Sequence, residues 1–261
     1  MTTPALGSAV DASLDALDEV SLASLGRAAL LNRVDTKYIV PVAMVPALIA
    51  ACAPTYRALV VDGERTFPYL TRYFDTPELA FFRDHVTGRL PRRKVRIRSY
   101  LRGGTCVLEL KRTTNGGRTV KLRQAVDAND ASALPALARA PFIDVAAPSP
   151  DAIRATLDVS FTRATLVNTG LAERVTIDLD LAYTSGPAQL TFANTAIVEV
   201  KQERRARTLV TELLRQARYR PARVSKYCVG VAALLSPAPV PTYRRLLTHL
   251  HAPSHAALPG V

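Results

Sequence analysis

Between Lys94 and Lys121 the charges of this chain fall on alternate residues of short apolar segments. Lys94-Val95-Arg96-Ile97-Arg98-Ser99-Tyr100 puts Lys94, Arg96 and Arg98 on one side of a strand. Val107-Leu108-Glu109-Leu110-Lys111 sets Glu109 and Lys111 against Leu108 and Leu110. Thr119-Val120-Lys121-Leu122-Arg123 repeats the pattern with Lys121 and Arg123. Successive strand side chains point to opposite faces, so each segment carries one charged face and one mostly apolar face. Arg102-Gly103-Gly104 and Asn115-Gly116-Gly117 separate them as turns, which predicts an antiparallel meander. For one strand, a solvated charged face is the ordinary explanation. A series of them implies a dense cationic surface with a few carboxylates, suited to a polyanion and a metal ion.

The same alternation recurs along the chain. Arg33 to Val40 reads as a strand with Asp35 and Lys37 on one face, followed by a helix over Val42 to Cys52 with Pro46 in its first turn. Tyr69 to Asp75 is rich in aromatic and β-branched residues, and Asp75-Thr76-Pro77-Glu78 reads as a helix start capped by Asp75 or Thr76. Further strands are expected over Val159 to Leu166, Arg174 to Leu181, Gln189 to Phe192 and Ala196 to Lys201, and an amphipathic helix over Thr208 to Arg218. Asp127 to Asp158 reads as alanine-rich and helical, broken by prolines, and a helix is expected around Asp15 to Leu31. Residues 1–26 form a weakly ordered lead, 27–236 the main domain, and 237–261 a proline-rich tail with a short basic helix around Tyr243 to His249.

Hydrophobic residues at 48% of 261 argue for a globular chain, and a net charge of +12 argues for an anionic partner. The acidic N-terminus lacks the order of a signal peptide, and no apolar run is long enough to span a bilayer. Cys52, Cys106 and Cys228 show neither metal spacing nor a disulfide framework. Together these features imply a soluble, cytoplasmic protein. Aromatic residues at 6%, without tryptophan, offer few stacking platforms, so nucleic acid is not expected as the partner.

About eight strands with one charged face each predict an α+β fold: an antiparallel sheet closed into a barrel, with helices packed on its apolar exterior. The charged lining must then stay wet or hold an anion, because burying so many cations without counter-charge is prohibitive. His85, His249, His251 and His255 have no metal spacing, and Gly103-Gly104 and Gly116-Gly117 are turns because neither opens a helix. Arg204-Arg205-Ala206-Arg207 reads as a solvated patch before a helix, with the capacity to attract polyphosphate.

Lys37-Tyr38, Tyr73-Phe74-Asp75-Thr76, Arg96-Ile97-Arg98, Glu109-Leu110-Lys111, Lys121, Asp178, Glu199-Val200-Lys201 and Ser225-Lys226-Tyr227 together resemble the VTC domain. That family includes the catalytic domain of the eukaryotic vacuolar transporter chaperone and belongs to the triphosphate tunnel metalloenzymes, of CYTH-like fold. The resemblance runs in order from about Arg33 to Leu235. It implies a tunnel of antiparallel strands that binds triphosphate through basic side chains, with Mn²⁺ or Mg²⁺ held by a glutamate.

Carried over by position, Arg96, Arg98 and Lys226 become catalytic. Lys37, Lys111, Lys121, Arg163 and Ser225 bind phosphate, with Arg123, Arg174, Lys201, Glu109 and Asp178 as further lining. Glu199 reads either as the metal ligand or as the salt-bridge partner of a lining arginine. The implied activity is transfer of the γ-phosphoryl group of ATP to a growing polyphosphate chain by a stand-alone bacterial form. Hydrolysis of inorganic or nucleoside triphosphate, and polyphosphate binding without catalysis, are the alternatives.

Overall fold

The computed structural model describes residues 3–25, 34–116, 119–128, 152–168 and 170–236, together with 240, 241, 243, 247 and 248. Helix α1 (Thr3–Asp15) leads into a two-residue strand β1 (Glu19–Val20). Strand β2 (Val34–Pro41) and helix α2 (Val45–Cys52) follow, then β3 (Arg57–Leu59), β4 (Thr66–Asp75) and helix α3 (Ala80–Thr87). The meander is β5 (Arg92–Tyr100), β6 (Thr105–Thr113) and β7 (Thr119–Val126). The second half holds β8 (Arg154–Asn168), β9 (Glu173–Ser185), β10 (Ala188–Phe192), β11 (Thr195–Gln202), helix α4 (Leu209–Gln216) and helix α5 (Lys226–Leu234).

The strands form one sheet whose main path runs β2-β11-β9-β8-β4-β5-β6-β7, with β1, β3 and β10 attached at its side. Every neighbouring pair along that path is antiparallel. The expected closed barrel is corrected here: among the described residues β2 and β7 are the two ends of the path and do not pair. The sheet nevertheless curls. At a strand spacing of about 4.8 Å a flat sheet would set β2 and β6 about 29 Å apart. Yet Asp35 and Lys37 on β2 act electrostatically on Lys111 of β6. Charge–charge effects fade beyond about 10 Å, so the ends of the sheet face one another across a concave side.

Parity along each strand divides the residues between two faces. On the convex face, Tyr38, Val40, Leu166, Val175, Ile177, Val198 and Val200 are buried with Val10 and Leu14 of α1, Leu48 and Ile49 of α2, and Val210 and Leu214 of α4. A second convex cluster joins Val95, Ile97, Leu108 and Leu110 to Phe74 and Phe81. Helix α5 does not follow the expectation of helices on the outside. It packs on the concave face, where Tyr227, Cys228 and Val231 are buried with Ile39, Leu157, Phe161, Tyr183 and Ile197. The concave side is therefore part apolar, filled by α5, and part charged.

Other boundaries moved for identifiable reasons. Asp75 caps α3 from a distance: its carboxylate accepts from the backbone N–H of Phe81 at 2.9 Å and of Phe82 at 3.0 Å. The helix consequently begins at Ala80 rather than Pro77, after Leu79 turns through a left-handed conformation. Of the helix expected around Asp15 to Leu31, residues 26–31 lie outside the described ones; the described helix stands earlier, at Thr3–Asp15, where Val10 and Leu14 dock on the convex core. Of the helical stretch expected over 127–158, residues 129–151 lie outside the described ones, and Arg154 onward already belongs to β8. The helix expected around Tyr243 to His249 falls largely outside them too, although Tyr243 is buried near the Phe82 ring. No described helix is long and apolar enough to cross a membrane.

Gly230 sets the closeness of α5 to the sheet. A Cβ there would stand 2.5 Å from Leu157 Cδ2 and 2.6 Å from Tyr183 Cδ1. Gly230→Ala is therefore expected to destabilise the fold by about 1–3 kcal/mol through overpacking, although alanine favours helix. Thermal unfolding measures it, and an unchanged or raised midpoint would refute this packing.

Candidate functional site

The charged part of the concave face is organised around three carboxylates, each held by more than one cation. Asp178 on β9 has no exposed side-chain surface. Arg163 of the neighbouring β8 grips it as a fork, with Nε 2.5 Å and Nη2 2.8 Å from its two oxygens. Lys226, first residue of α5, donates to the same carboxylate. Burial alone would raise the Asp178 pKa, but Arg163 and Lys226 outweigh it and hold the group ionised far below the usual range. The Lys226 ammonium also lies 4.6 Å from the Phe161 ring centroid.

Glu199 on β11 is bracketed by Lys37 Nζ at 2.7 Å and Lys201 Nζ at 2.7 Å. Its partners follow from register, since Glu199 stands opposite Lys37 on β2 and Lys201 lies two residues along on the same face. Burial opposes ionisation, yet the two lysines pull its pKa well below that of a free glutamate. Lys201 donates as well to Thr176 Oγ1 at 2.7 Å, and burial drives its own pKa down to about 7. Glu109 on β6 receives Arg96 at 2.6 Å and Arg123 at 3.0 Å, with Arg98 farther off at 3.9 Å.

Elsewhere on this face cations meet cations. Lys94 stands directly opposite Lys111, and Lys111 directly opposite Lys121, so three lysines form a row across β5, β6 and β7. Like charges in that position repel. Lys111 and Lys121 make no ion pair among the described residues, and Lys94 has only the Ser225 hydroxyl, at 2.9 Å. Burial, then Lys94 and Lys121, lower the Lys111 pKa to about 8. Lys94 is lowered for the same first reason. The neighbouring Tyr73 phenol is shifted down: Arg96, Lys94 and Arg98 overcome the effect of burial.

Among the described residues, two polar atoms that face one another on this side are buried without a hydrogen-bond partner. They are Arg98 Nε on β5 and Thr71 Oγ1 on β4. A buried polar group left unmatched costs about 1–3 kcal/mol, so the pair marks a seat for an acceptor. Tyr69 flanks it, its centroid 5.6 Å from the Arg98 guanidinium and 5.3 Å from that of Arg163.

Strand register thus brings Lys37, Arg96, Arg98, Lys111, Lys121, Arg123, Arg163, Arg174, Glu199 and Lys201 onto one face, and α5 adds Ser225 and Lys226. Ser225 has a local task as well: its hydroxyl caps α5 by accepting from Cys228 N–H. Lys94, Thr71 and Tyr73 belong to this site as well, although the sequence reading gives none of them a role in it. Lys94 shares the parity of Arg96 and Arg98, which was signal enough. Thr71 and Tyr73 carried no such mark, because their face emerges only from pairing with β5.

A divalent cation has a limited set of donors here. Among the described residues no group of three or more acidic, histidine or cysteine side chains converges. Glu199 offers one carboxylate already held by two lysines. A hard ion that takes one or two carboxylates and completes its shell with water and substrate oxygens would have to share Glu199 with these lysines.

Solved structures of low similarity exist. One is HpAC1 from Hippeastrum, named for adenylyl cyclase and described by a dominant triphosphatase activity. It is 17% identical, aligned over 78% of this chain and 98% of its own, with a TM-score of 0.49. Two proteins of Pyrococcus horikoshii also align. PH1012 is 13% identical over 64% of this chain and 77% of its own, with a TM-score of 0.35. PH1819 is 11% identical over 84% and 99%, with a TM-score of 0.39. No curated protein matches the chain. The family model of the VTC domain matches residues 32–235, which takes in every strand from β2 to β11 and the whole concave site. The chain belongs to the VTC domain family.

Proposed function

We propose that the concave face holds a linear phosphate chain and that the protein transfers the γ-phosphoryl group of ATP to the end of a growing polyphosphate. The observation that carries this reading is the row Lys94–Lys111–Lys121 beside the unmatched Arg98 and Thr71. Such an array is unfavourable alone and favourable around a multiply charged anion. Membership in the VTC family supports the phosphate-chain reading. In this account the two ends of the sheet wall a tunnel without hydrogen-bonding to each other. A cytoplasmic setting agrees with three free, buried cysteines.

Each side chain then has a part. Arg96 and Arg98 contact phosphoryl oxygens with planar forks, and Lys226, Lys94 and Lys111 add compact charge. Phosphoryl transfer proceeds through a loose transition state, so positioning and charge stabilisation supply most of the rate. A terminal oxygen of the acceptor chain attacks the γ-phosphorus, the bond to the β-bridging oxygen breaks, and ADP leaves. Lys37, Lys121, Arg123, Arg163, Arg174, Lys201 and Ser225 line the path of the chain. Glu199 would hold Mn²⁺ or Mg²⁺, which supplies further neutralisation of phosphate charge when bound.

Incubation of the protein with ATP and Mn²⁺ should give polymer visible on a gel. Phosphate release without polymer would replace transfer by hydrolysis, and the absence of both would refute an enzyme. Arg98→Ala should lower turnover about 100-fold or more with the fold retained, and Lys226→Ala should do the same while also lowering the thermal midpoint, since Asp178 then loses one of its two cations. Unchanged rates would remove these residues from the site. Glu199→Gln should abolish turnover while leaving tripolyphosphate affinity within a few-fold.

The lysine shifts set a pH dependence. Lys201 and Lys111 are charged below about 7 and about 8 respectively and lose that charge as pH rises. An anion favours the charged forms, so binding takes up protons and affinity for tripolyphosphate falls between pH 7 and 9. Calorimetry in two buffers of different ionisation enthalpy should show proton uptake, reduced in Lys111→Met. Proton release would contradict the assignment.

A further inference from the structure

The connection from β11 to α5 carries charge that the concave site does not use. Arg204, Arg205, Arg207, Arg218, Arg220 and Arg223 are all exposed. None of the six makes an ion pair among the described residues, and of the two acidic residues in the segment, Glu212 is already held by Arg215 at 2.5 Å. Both ends of the segment lie in the site: it leaves from Lys201 and re-enters at Ser225 and Lys226.

The segment is held to the sheet at defined points. The Gln202 side chain clamps Ala206 twice, donating to its carbonyl at 3.1 Å and accepting from its N–H at 3.2 Å. Arg218 adopts a left-handed φ of 63°, which turns the chain after α4. Ala222 N–H donates to the carbonyl of Lys37 at 2.8 Å, so Arg220 to Arg223 run along the outer side of β2. That side is the unpaired end of the sheet, across from β7. Arg205 meanwhile lies near enough to Tyr38, the next residue of β2 and on its convex side, to oppose in part the rise that burial gives the phenol pKa. Two separate stretches of arginine therefore flank the strand whose Lys37 faces the concave site.

From this arrangement we propose that the arginines of 204–223 form an external track for a long polyanionic phosphate chain, continuous with the concave site at the gap between β2 and β7. The inference rests on the phosphate-chain reading of that site. Arginine forks bind successive phosphates without sequence or length register, and exposed cations also raise encounter rates with a polyanion. The track distinguishes long chains from short ones: a tripolyphosphate occupies the concave residues alone, whereas a chain of many phosphates reaches both.

The test compares tripolyphosphate with polyphosphate of roughly one hundred units, a length chosen only to exceed the concave site and reach the exposed arginines. The full chain and two variants, R204S/R205S/R207S and R220S/R223S, would be titrated with each at several salt concentrations. The expected result is at least a tenfold loss of long-chain affinity with tripolyphosphate affinity unchanged. The salt slope for the long chain should fall by about 0.7 for each phosphate contact removed. A thermal midpoint close to that of the parent verifies the fold, and Arg207→Lys provides a version that keeps charge and should keep most of the affinity. Equal losses for both ligands, or no loss for either, would overturn the track. So would single-stranded DNA binding as tightly as polyphosphate and weakening in the same variants. Failure of tripolyphosphate to bind the parent protein would instead refute the reading of the concave site, which Arg98→Ala reports separately.

Discussion

Asp178 is a carboxylate without solvent exposure, tied at once to Arg163 on the adjacent strand and to Lys226 at the head of α5. That triad joins the charged part of the sheet to the one helix seated on its concave side. Removing a partner of such a group leaves an uncompensated buried charge, which costs about 3–5 kcal/mol. The triad therefore anchors Ser225 and Lys226 opposite β5, where Ser225 also meets Lys94. Below it, Gly230 lets the helix lie close against Leu157 and Tyr183. Electrostatics set where α5 begins, and close packing sets how deep it sits.

A second buried carboxylate supports the same helix. Asp75 accepts from the Tyr227 hydroxyl and from the first turn of α3. Burial favours its neutral form, against the hydrogen bonds that favour the anion, and the net shift is upward. The neighbours Lys226 and Tyr227 thus reach different carboxylates on different strands, one ionic and one neutral in its partner. This arrangement orients the helix start twice over, and it explains why a helix with no acidic or basic capping charges holds its position.

Glu109, Asp178 and Glu199 also space the cations apart. Each gathers two or three of them, and the lysine row of β5 to β7 is left outside these groups. The site is consequently graded, from matched charge around the three carboxylates to unmatched charge in the lysine row of the meander. A polyanion gains most where matching is poorest. The arginines of 204–223 extend unmatched charge from the other end of the sheet.

Much was legible in the chain itself. Period-two alternation disclosed the strands and assigned Lys37, Arg96, Arg98, Lys111 and Lys121 to charged faces, because parity is a local property of the backbone, whereas Arg163, Glu199 and Lys201 came only from the family resemblance. Turn glycines disclosed the meander for a similar reason. Helix α1, the short β1 and the late start of α3 were not legible, since distant contacts with the convex core and Asp75 decide them. Closure was beyond the sequence too: alternation is the same in a barrel and in a curled sheet whose ends do not pair. Sequence determined that most strands would carry a charged face and that such a lining would have to stay wet or hold an anion. Tertiary structure alone decided that α5 would lie inside the curl, that Asp178 and Glu199 would be saturated by their neighbours, and that Arg98 and Thr71 would stay unmatched. The physical reason is that pairing and burial depend on which strands become neighbours in space, and no local pattern encodes that.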